Sequence, residues 1–301
     1  MLASFHPDLI MCRLYGYLSQ RPTTVECGLA CAQNSLLAQS RLDHRGLSNP
    51  DGWGMAWFDQ GGPHVQKRVL HAAADPTFRV AVHEVNTNAL VAHVRAATVG
   101  EMTLANVHPF IAGRYAFAHN GTIPEFDTIG PRMAVETPDW LMRQRLGATD
   151  SELCFLWLLG ELEKRCPSAM LHRAPAQLLA EVVVRGVRRL LEWCDAIDAP
   201  PPTLNMVISD GRVLVAVRCG RTLYSLHRET LQGCELCGRC HCPICLARAK
   251  PTPPTHLHST SVPCRAFAVA SEPLTEEEWT EVEDGTLICV DEGLHPQRLT
   301  I

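Results

Sequence analysis

The sequence predicts an α+β protein in which two sheets lie between layers of helix. Three observations predict it: strand patterning from Cys12 to His119, two long helical runs between Thr149 and Trp193, and a return to strand patterning from Leu204 onward. In order, Cys12–Leu18 (CRLYGYL) alternates as a strand, and Gly28–Ser40 has helical spacing through Leu29, Leu36 and Leu37. Asn49-Pro50-Asp51-Gly52 is a turn signal that opens a strand over Trp53–Phe58. Ala89–Ala97 reads as a buried strand, and Tyr115–His119 as another that ends at the turn-favouring pair Asn120-Gly121. Thr149-Asp150-Ser151-Glu152 has the form of a capping box and opens a helix to about Arg165, and Ala176–Trp193 is the second long helix. The later strands are Leu204–Ser209, Arg212–Val217, Leu223–Leu226, Phe267–Ser271 and Leu287–Val290.

With 301 residues and 46% hydrophobic content, the chain can bury one large core or two at most. Its 27 basic and 32 acidic residues leave a formal charge of -5 with no block of Lys or Arg, which argues against a nucleic-acid or anionic membrane surface. No apolar run reaches membrane-spanning length. Met1–Ile10 lacks the basic start and sustained apolar run of a signal peptide, being interrupted by His6, Pro7 and Asp8. The expected location is therefore the cytoplasm, where the 14 cysteines stay reduced.

A series of short segments carries the chemistry. They are Met11-Cys12-Arg13-Leu14-Tyr15-Gly16-Tyr17, Asn49-Pro50-Asp51-Gly52-Trp53-Gly54 and Ala92-His93-Val94-Arg95-Ala96-Ala97-Thr98, followed by Asn106-Val107-His108-Pro109-Phe110, His119-Asn120-Gly121-Thr122 and Thr149-Asp150-Ser151-Glu152. In this order they resemble the class II glutamine amidotransferases. The likeness is to the stand-alone branch that includes ergothioneine-pathway γ-glutamyl hydrolases and the amidotransferase-like subunit of glutathione breakdown. Ala270-Ser271-Glu272-Pro273-Leu274-Thr275 is similar to the same branch. The resemblance spans Cys12 to Ile301. It implies a four-layer αββα sandwich of two mainly antiparallel sheets, of the N-terminal-nucleophile (Ntn) hydrolase type. Residues 1–11 are then a leader or a mis-called start, because a chain begun at Met11 exposes Cys12 once that Met is removed.

The chemistry implied is hydrolysis of a γ-glutamyl amide through a thioester on Cys12. A free thiol is little ionised at neutral pH, and an N-terminal cysteine brings its own base, an α-amine with a pKa of about 7.7–8.0. By resemblance, the Asn120 side chain and the Gly121 N–H stabilise the oxyanion. Arg95 takes the substrate α-carboxylate, Asp150 its ammonium, and Thr98 and His108 line the pocket. Each has a plainer reading. Asn120-Gly121 is ordinarily a hairpin turn, Asp150 a helix cap, His108 a structural histidine and Cys12 a small buried apolar residue. His93 and His119 are expected in the core, and Asp51, Gly52 and Gly54 at a tight turn beside the nucleophile.

The stretch from Gly233 to Pro263 is rich in Cys, Pro and His and reads as an insertion. Cys234, Cys237, Cys242 and Cys245 make two Cys-x-x-Cys pairs suited to a structural Zn²⁺, with Cys240 or His241 as substitutes, or else free thiols. The chemistry implied by the resemblance requires no cofactor. Family members that make ammonia for synthesis are usually fused to a synthase or work beside one. By the resemblance, the amidotransferase-like domain is expected to account for residues 12–301. The expectation is therefore a partner synthase or peptidase subunit, or a γ-glutamyl substrate other than glutamine. The competing reading is a non-catalytic regulatory or scaffold subunit in which Cys12 is internal.

Overall fold

Alternation along the first strand decides the layering. β1 (Arg13–Thr24) sends Leu14 and Leu18 to one side and Tyr15 and Tyr17 to the other, and both sides are buried. The computed structural model describes residues 12–96, 101–167, 173–229 and 264–301. In chain order the remaining strands are β2 (Trp53–Asp59), β3 (Gly62–Arg68), β4 (Asn86–Val94), β5 (Phe110–Ala112), β6 (Tyr115–Thr122), β7 (Thr203–Ser209), β8 (Leu214–Arg218), β9 (Tyr224–Arg228), β10 (Ala266–Ala270), β11 (Thr280–Glu281), β12 (Thr286–Val290) and β13 (Pro296–Thr300). The helices are α1 (Leu36–Arg41), α2 (Pro76–Glu84), α3 (Phe126–Glu136), α4 (Asp139–Met142), α5 (Asp150–Arg165) and α6 (Ala176–Asp195).

The strands form two sheets, ordered β11-β9-β10-β1-β4-β2-β3 and β13-β12-β8-β7-β6-β5, and the ladders within them are antiparallel. The facing surfaces share a thin apolar layer in which Ala56, Ala89, Ala116, Ala118 and Ala216 alternate with Leu14, Val91, Val207 and Val269. The outer face of the first sheet (Tyr15, Trp53, Met55, Leu90) is covered by Leu36 and Leu37 of α1 and Phe78 and Val82 of α2. The outer face of the second (Phe117, Met206, Val215) is covered by α3, α5 and α6. The result is the αββα sandwich, with the expected four layers.

The two long helices stand where their patterning puts them. Thr149 Oγ1 accepts a hydrogen bond from Glu152 N (3.2 Å) at the start of α5, but the Glu152 carboxylate accepts from Leu146 N and Gly147 N instead of closing the box on Thr149. Two expectations are corrected. Gly28–Ser40 is not one helix: a π-helical turn (Cys27–Cys31) and α1 are separated by extended backbone at Ala32 and Ser35. Asn34 lies in that break, its side chain donating to Glu272 Oε2 (3.1 Å) and Pro273 O (2.9 Å), so tertiary bonds override local helical spacing. Nor do Asn120-Gly121 turn. β6 runs on through Thr122, paired Asn120 to Asn205 and Gly121 to Leu204, because the ladder with β7 outweighs the local preference for a hairpin.

Candidate active site

Cys12 immediately precedes β1, near the centre of the first sheet. It is half-buried, and its Sγ lies 3.2 Å from Ala96 O and 3.3 Å from Ala96 N, so the thiol can donate to the carbonyl and the sulfur can accept from the amide. Burial pushes the Cys12 thiol above its ordinary value; the Ala96 N–H and the charges of Arg95, Arg221 and Arg13 oppose that shift without cancelling it. A resting Cys12 is therefore a neutral thiol that needs a base before it can attack.

Arg95 follows β4 and is buried. The turn at Asp51-Gly52 grips its backbone from both sides: Arg95 N donates to Gly52 O (2.8 Å), and Asp51 N donates to Arg95 O (3.0 Å). Gly54 lies where a Cβ would run into the His108 carbonyl, which is why the chain at His108 can cross so close to β2. His108 packs on His93 (ring centroids 4.4 Å apart) and on Phe110 (4.5 Å). Neither His108 ring nitrogen has a hydrogen-bond partner among the described residues.

Asn120 and Gly121 come from the second sheet, across from Cys12. Asn120 Nδ2 lies 3.5 Å from Ser271 Oγ, the same oxygen that accepts from Leu14 N (3.1 Å), two residues after the nucleophile candidate. The ladder also orients Gly121. Leu204 N donates away from β6, to Cys219 O, so Gly121 and Leu204 form a non-hydrogen-bonded pair and the Gly121 N–H points away from β7. On that side the pairing with β5 has already ended at Phe117. Asp150, buried at the start of α5, accepts from Ile123 N (2.8 Å) and from Ser151 N (2.7 Å). Ser151 Oγ also lies 2.9 Å from His119 Nδ1, so Asp150 is fixed against the strand that carries Asn120. Cys12, Arg95, His108, Asn120, Gly121 and Asp150 thus occupy neighbouring ends of β1, β4 and β6 and the loops and helix beside them. Thr98 and the cysteines 234, 237, 242 and 245, with Cys240 and His241, lie outside the described residues. Among the described residues, no group of three or more His, Cys, Asp or Glu could hold a metal.

A match to the family model for class II glutamine amidotransferases extends over residues 11–300. The chain belongs to that family. It is 26% identical to a probable glutamine amidotransferase, DUG3, of Saccharomyces cerevisiae, over 95% of this chain and 84% of that protein. It is 32% identical to the γ-glutamyl-hercynylcysteine sulfoxide hydrolase of Mycobacterium tuberculosis, over 72% of this chain and 81% of that one. Among solved structures, a class II glutamine aminotransferase domain protein from Silicibacter pomeroyi superposes with a TM-score of 0.60 at 22% identity, covering 96% of this chain and 99% of that one, a likeness of fold. No helix among the described residues is long and apolar enough to cross a membrane.

Arg13 and the partners that hold it, Asp43 and Glu272, are given no task by the sequence motifs of this family. A signal was available: Arg13 sits in a strand whose neighbours are all buried, so it had to find a buried anion. Ser271 and Glu272 lay in a segment with family likeness but without an assigned task.

The buried histidines make the fold acid-sensitive. Burial, with the positive charge of Arg95 next, lowers His93 to about 3; burial likewise depresses His108 and His119, though Asp150 pulls His119 partly back. Between the unfolded value of about 6.5 and those native values, the unfolded chain binds more protons, so stability rises with pH and is lost as pH falls below about 6.5. The melting temperature is expected to drop progressively from pH 7 to pH 4. His93→Gln, which cannot take up the proton, should show a shallower fall; equal slopes for the two proteins would remove His93 from the cause.

Proposed function

We propose that this chain hydrolyses a γ-glutamyl amide, either glutamine or a γ-glutamyl metabolite, with Cys12 as nucleophile once the residues before it are removed. The observation that carries this reading is that Ser271 Oγ, which accepts from Leu14 N two residues after Cys12, faces the Asn120 amide of the other sheet, next to an outward-turned Gly121 N–H. The freed α-amine of Cys12 takes the thiol proton while Sγ attacks the γ-carbonyl carbon. The developing oxyanion accepts from Asn120 Nδ2 and Gly121 N. Collapse breaks the C–N bond, and the leaving nitrogen takes the proton from the ammonium. Water then attacks the thioester, giving glutamate and the free thiol.

Arg95 and Asp150 supply the opposite charges that an α-amino acid end requires. The Arg95 main chain is held by the Asp51-Gly52 turn and the Asp150 carboxylate by the N–H groups of Ile123 and Ser151, which supports roles as a carboxylate partner and an ammonium partner respectively. Arg95→Ala and Asp150→Ala are each expected to raise KM for glutamine roughly tenfold to a hundredfold, the worth of one charge-assisted bond. Normal KM in both would withdraw those roles.

The deciding experiment is the intact mass of the purified protein, followed by a screen of γ-glutamyl compounds. A mass starting at Cys12 together with release of glutamate supports the reading. A chain that keeps Met11 on Cys12 has an amide where the base should be, and hydrolysis by that species would overturn the mechanism. The screen also separates glutamine, whose ammonia calls for an acceptor enzyme as partner, from larger γ-glutamyl compounds, which do not.

A further inference from the structure

We propose that Arg13 and Glu272 form a clamp that sets the position of the nucleophile, and that Ser271 ties this clamp to the oxyanion donor Asn120. The inference rests on Cys12 being the nucleophile. Arg13 is 1% exposed. Its guanidinium uses all three of its nitrogens: Nε donates to Glu272 Oε1 (2.6 Å), Nη2 to Asp43 Oδ2 (2.5 Å) and Nη1 back to the carbonyl of Cys12 (3.0 Å). The anions are themselves braced. Glu272 Oε2 accepts from Asn34 Nδ2 (3.1 Å), and His44 Nδ1 lies 2.6 Å from Oε1. The other Asp43 oxygen accepts from Arg45 N and Leu47 N (2.9 Å each). Burial raises the Glu272 carboxyl, but Arg13, His44 and Asn34 together hold it below its ordinary value, so the pair stays ionised.

A buried ion pair is a poor way to gain stability, since apolar residues of the same size commonly do as well. It is a good way to fix a direction. The Cys12 carbonyl is the peptide group next to the reacting residue, and holding its oxygen fixes the rotation that aims the amine and thiol of Cys12. The preceding residue of the same segment, Ser271, acts on the other half of the site. Ser271 N donates to Leu14 O (3.1 Å), and Ser271 Oγ accepts from Leu14 N (3.1 Å) and faces Asn120 Nδ2 (3.5 Å). Two consecutive residues therefore register the nucleophile of one sheet against the oxyanion donor of the other. Arg13, Glu272 and Ser271 are positioning residues: none is placed to touch substrate.

The test compares the full chain as purified with Arg13→Lys, Glu272→Gln and Ser271→Ala, each checked for folding by thermal melting. Lysine keeps the charge of Arg13 but not its planar fork. Two readouts are taken: kcat and KM for a γ-glutamyl amide, and the rate at which iodoacetamide alkylates Cys12, followed by peptide-resolved mass spectrometry. Arg13→Lys should lower kcat about tenfold or more with KM within about twofold, and should slow Cys12 alkylation about threefold or more. Ser271→Ala should lower kcat, with alkylation less affected. A folded Arg13→Lys with kcat, KM and alkylation all within about twofold of the parent overturns the clamp. If Arg13→Lys does not fold, Glu272→Gln is judged by the same criteria. A parent that has Cys12 as its first residue yet turns over no γ-glutamyl compound defeats the proposed function, and the alkylation rates then decide the clamp alone.

Discussion

Cys12→Ala is expected to lower hydrolysis of γ-glutamyl amides by roughly 10⁴-fold or more and to leave the melting temperature almost unchanged. The two halves of that result have separate causes. The side chain is half-buried and bonds only to the Ala96 backbone among the contacts of the described residues, so its loss opens little space and strands no charge. The chemistry, by contrast, has no substitute: the other described cysteines lie elsewhere in the fold, and Cys154 and Cys289 have thiols raised well above the ordinary range by burial. Steady-state turnover and thermal melting of the same preparations check both halves, and residual turnover near that of the parent would end the assignment. In the parent, activity should rise with pH up to the titration of the Cys12 amine, at about 7.7–8.0. Below that value the amine is protonated and cannot accept the thiol proton.

What the sequence made legible was whatever local pattern and local chemistry decide. The long helices α5 and α6 carried enough periodicity to be placed within a few residues, and the strands of the central sheets alternate or run apolar because both faces are covered. Illegible were the places where distant contacts win. Asn34 interrupts a helical run because Glu272 and Pro273, far along the chain, take its side chain. Asn120-Gly121 continues a strand because β7 lies beside it. The short helices α2 and α3 and the edge strands β3 and β13, with mixed polar and apolar faces, gave no clear period. The site residues were named through family likeness and motif order. The buried partners behind them, Asp43 and Glu272, could be found only once the chain was folded.

Asn120→Ala and Gly121→Ala are expected to be the next most damaging changes, for different reasons. Losing one preorganised donor costs about 10²–10³ in kcat, so Asn120→Ala should fall in that range with a small change in stability, since the contact of its amide among the described residues is a long one, to Ser271. Gly121→Ala should lose both activity and stability. A Cβ there would run into the Thr203 carbonyl and come within 2.6 Å of His119 Nε2, which itself lies in hydrogen-bonding distance of that carbonyl (3.0 Å). Relief requires β6 to move away from β7, at an expected cost of about 1–3 kcal/mol, and that movement swings the N–H off the oxyanion. Denaturant unfolding together with kcat separates the two cases. A stable, active Gly121→Ala would mean that the backbone of β6 does not serve the oxyanion.

The thin layer between the sheets has a consequence beyond packing. If Cys12 is the nucleophile and Asn120 and Gly121 its oxyanion donors, the reacting groups hang from opposite sheets, so their separation depends on the spacing of that layer, to which Ala89, Ala116, Ala118 and Ala216 contribute only methyl groups. These alanines act as a spacer gauge for the chemistry. Productive geometry tolerates errors of only about half an ångström, whereas a core can absorb an added methylene by yielding a little. Selection on turnover would then hold these positions small even where folding alone would accept larger side chains.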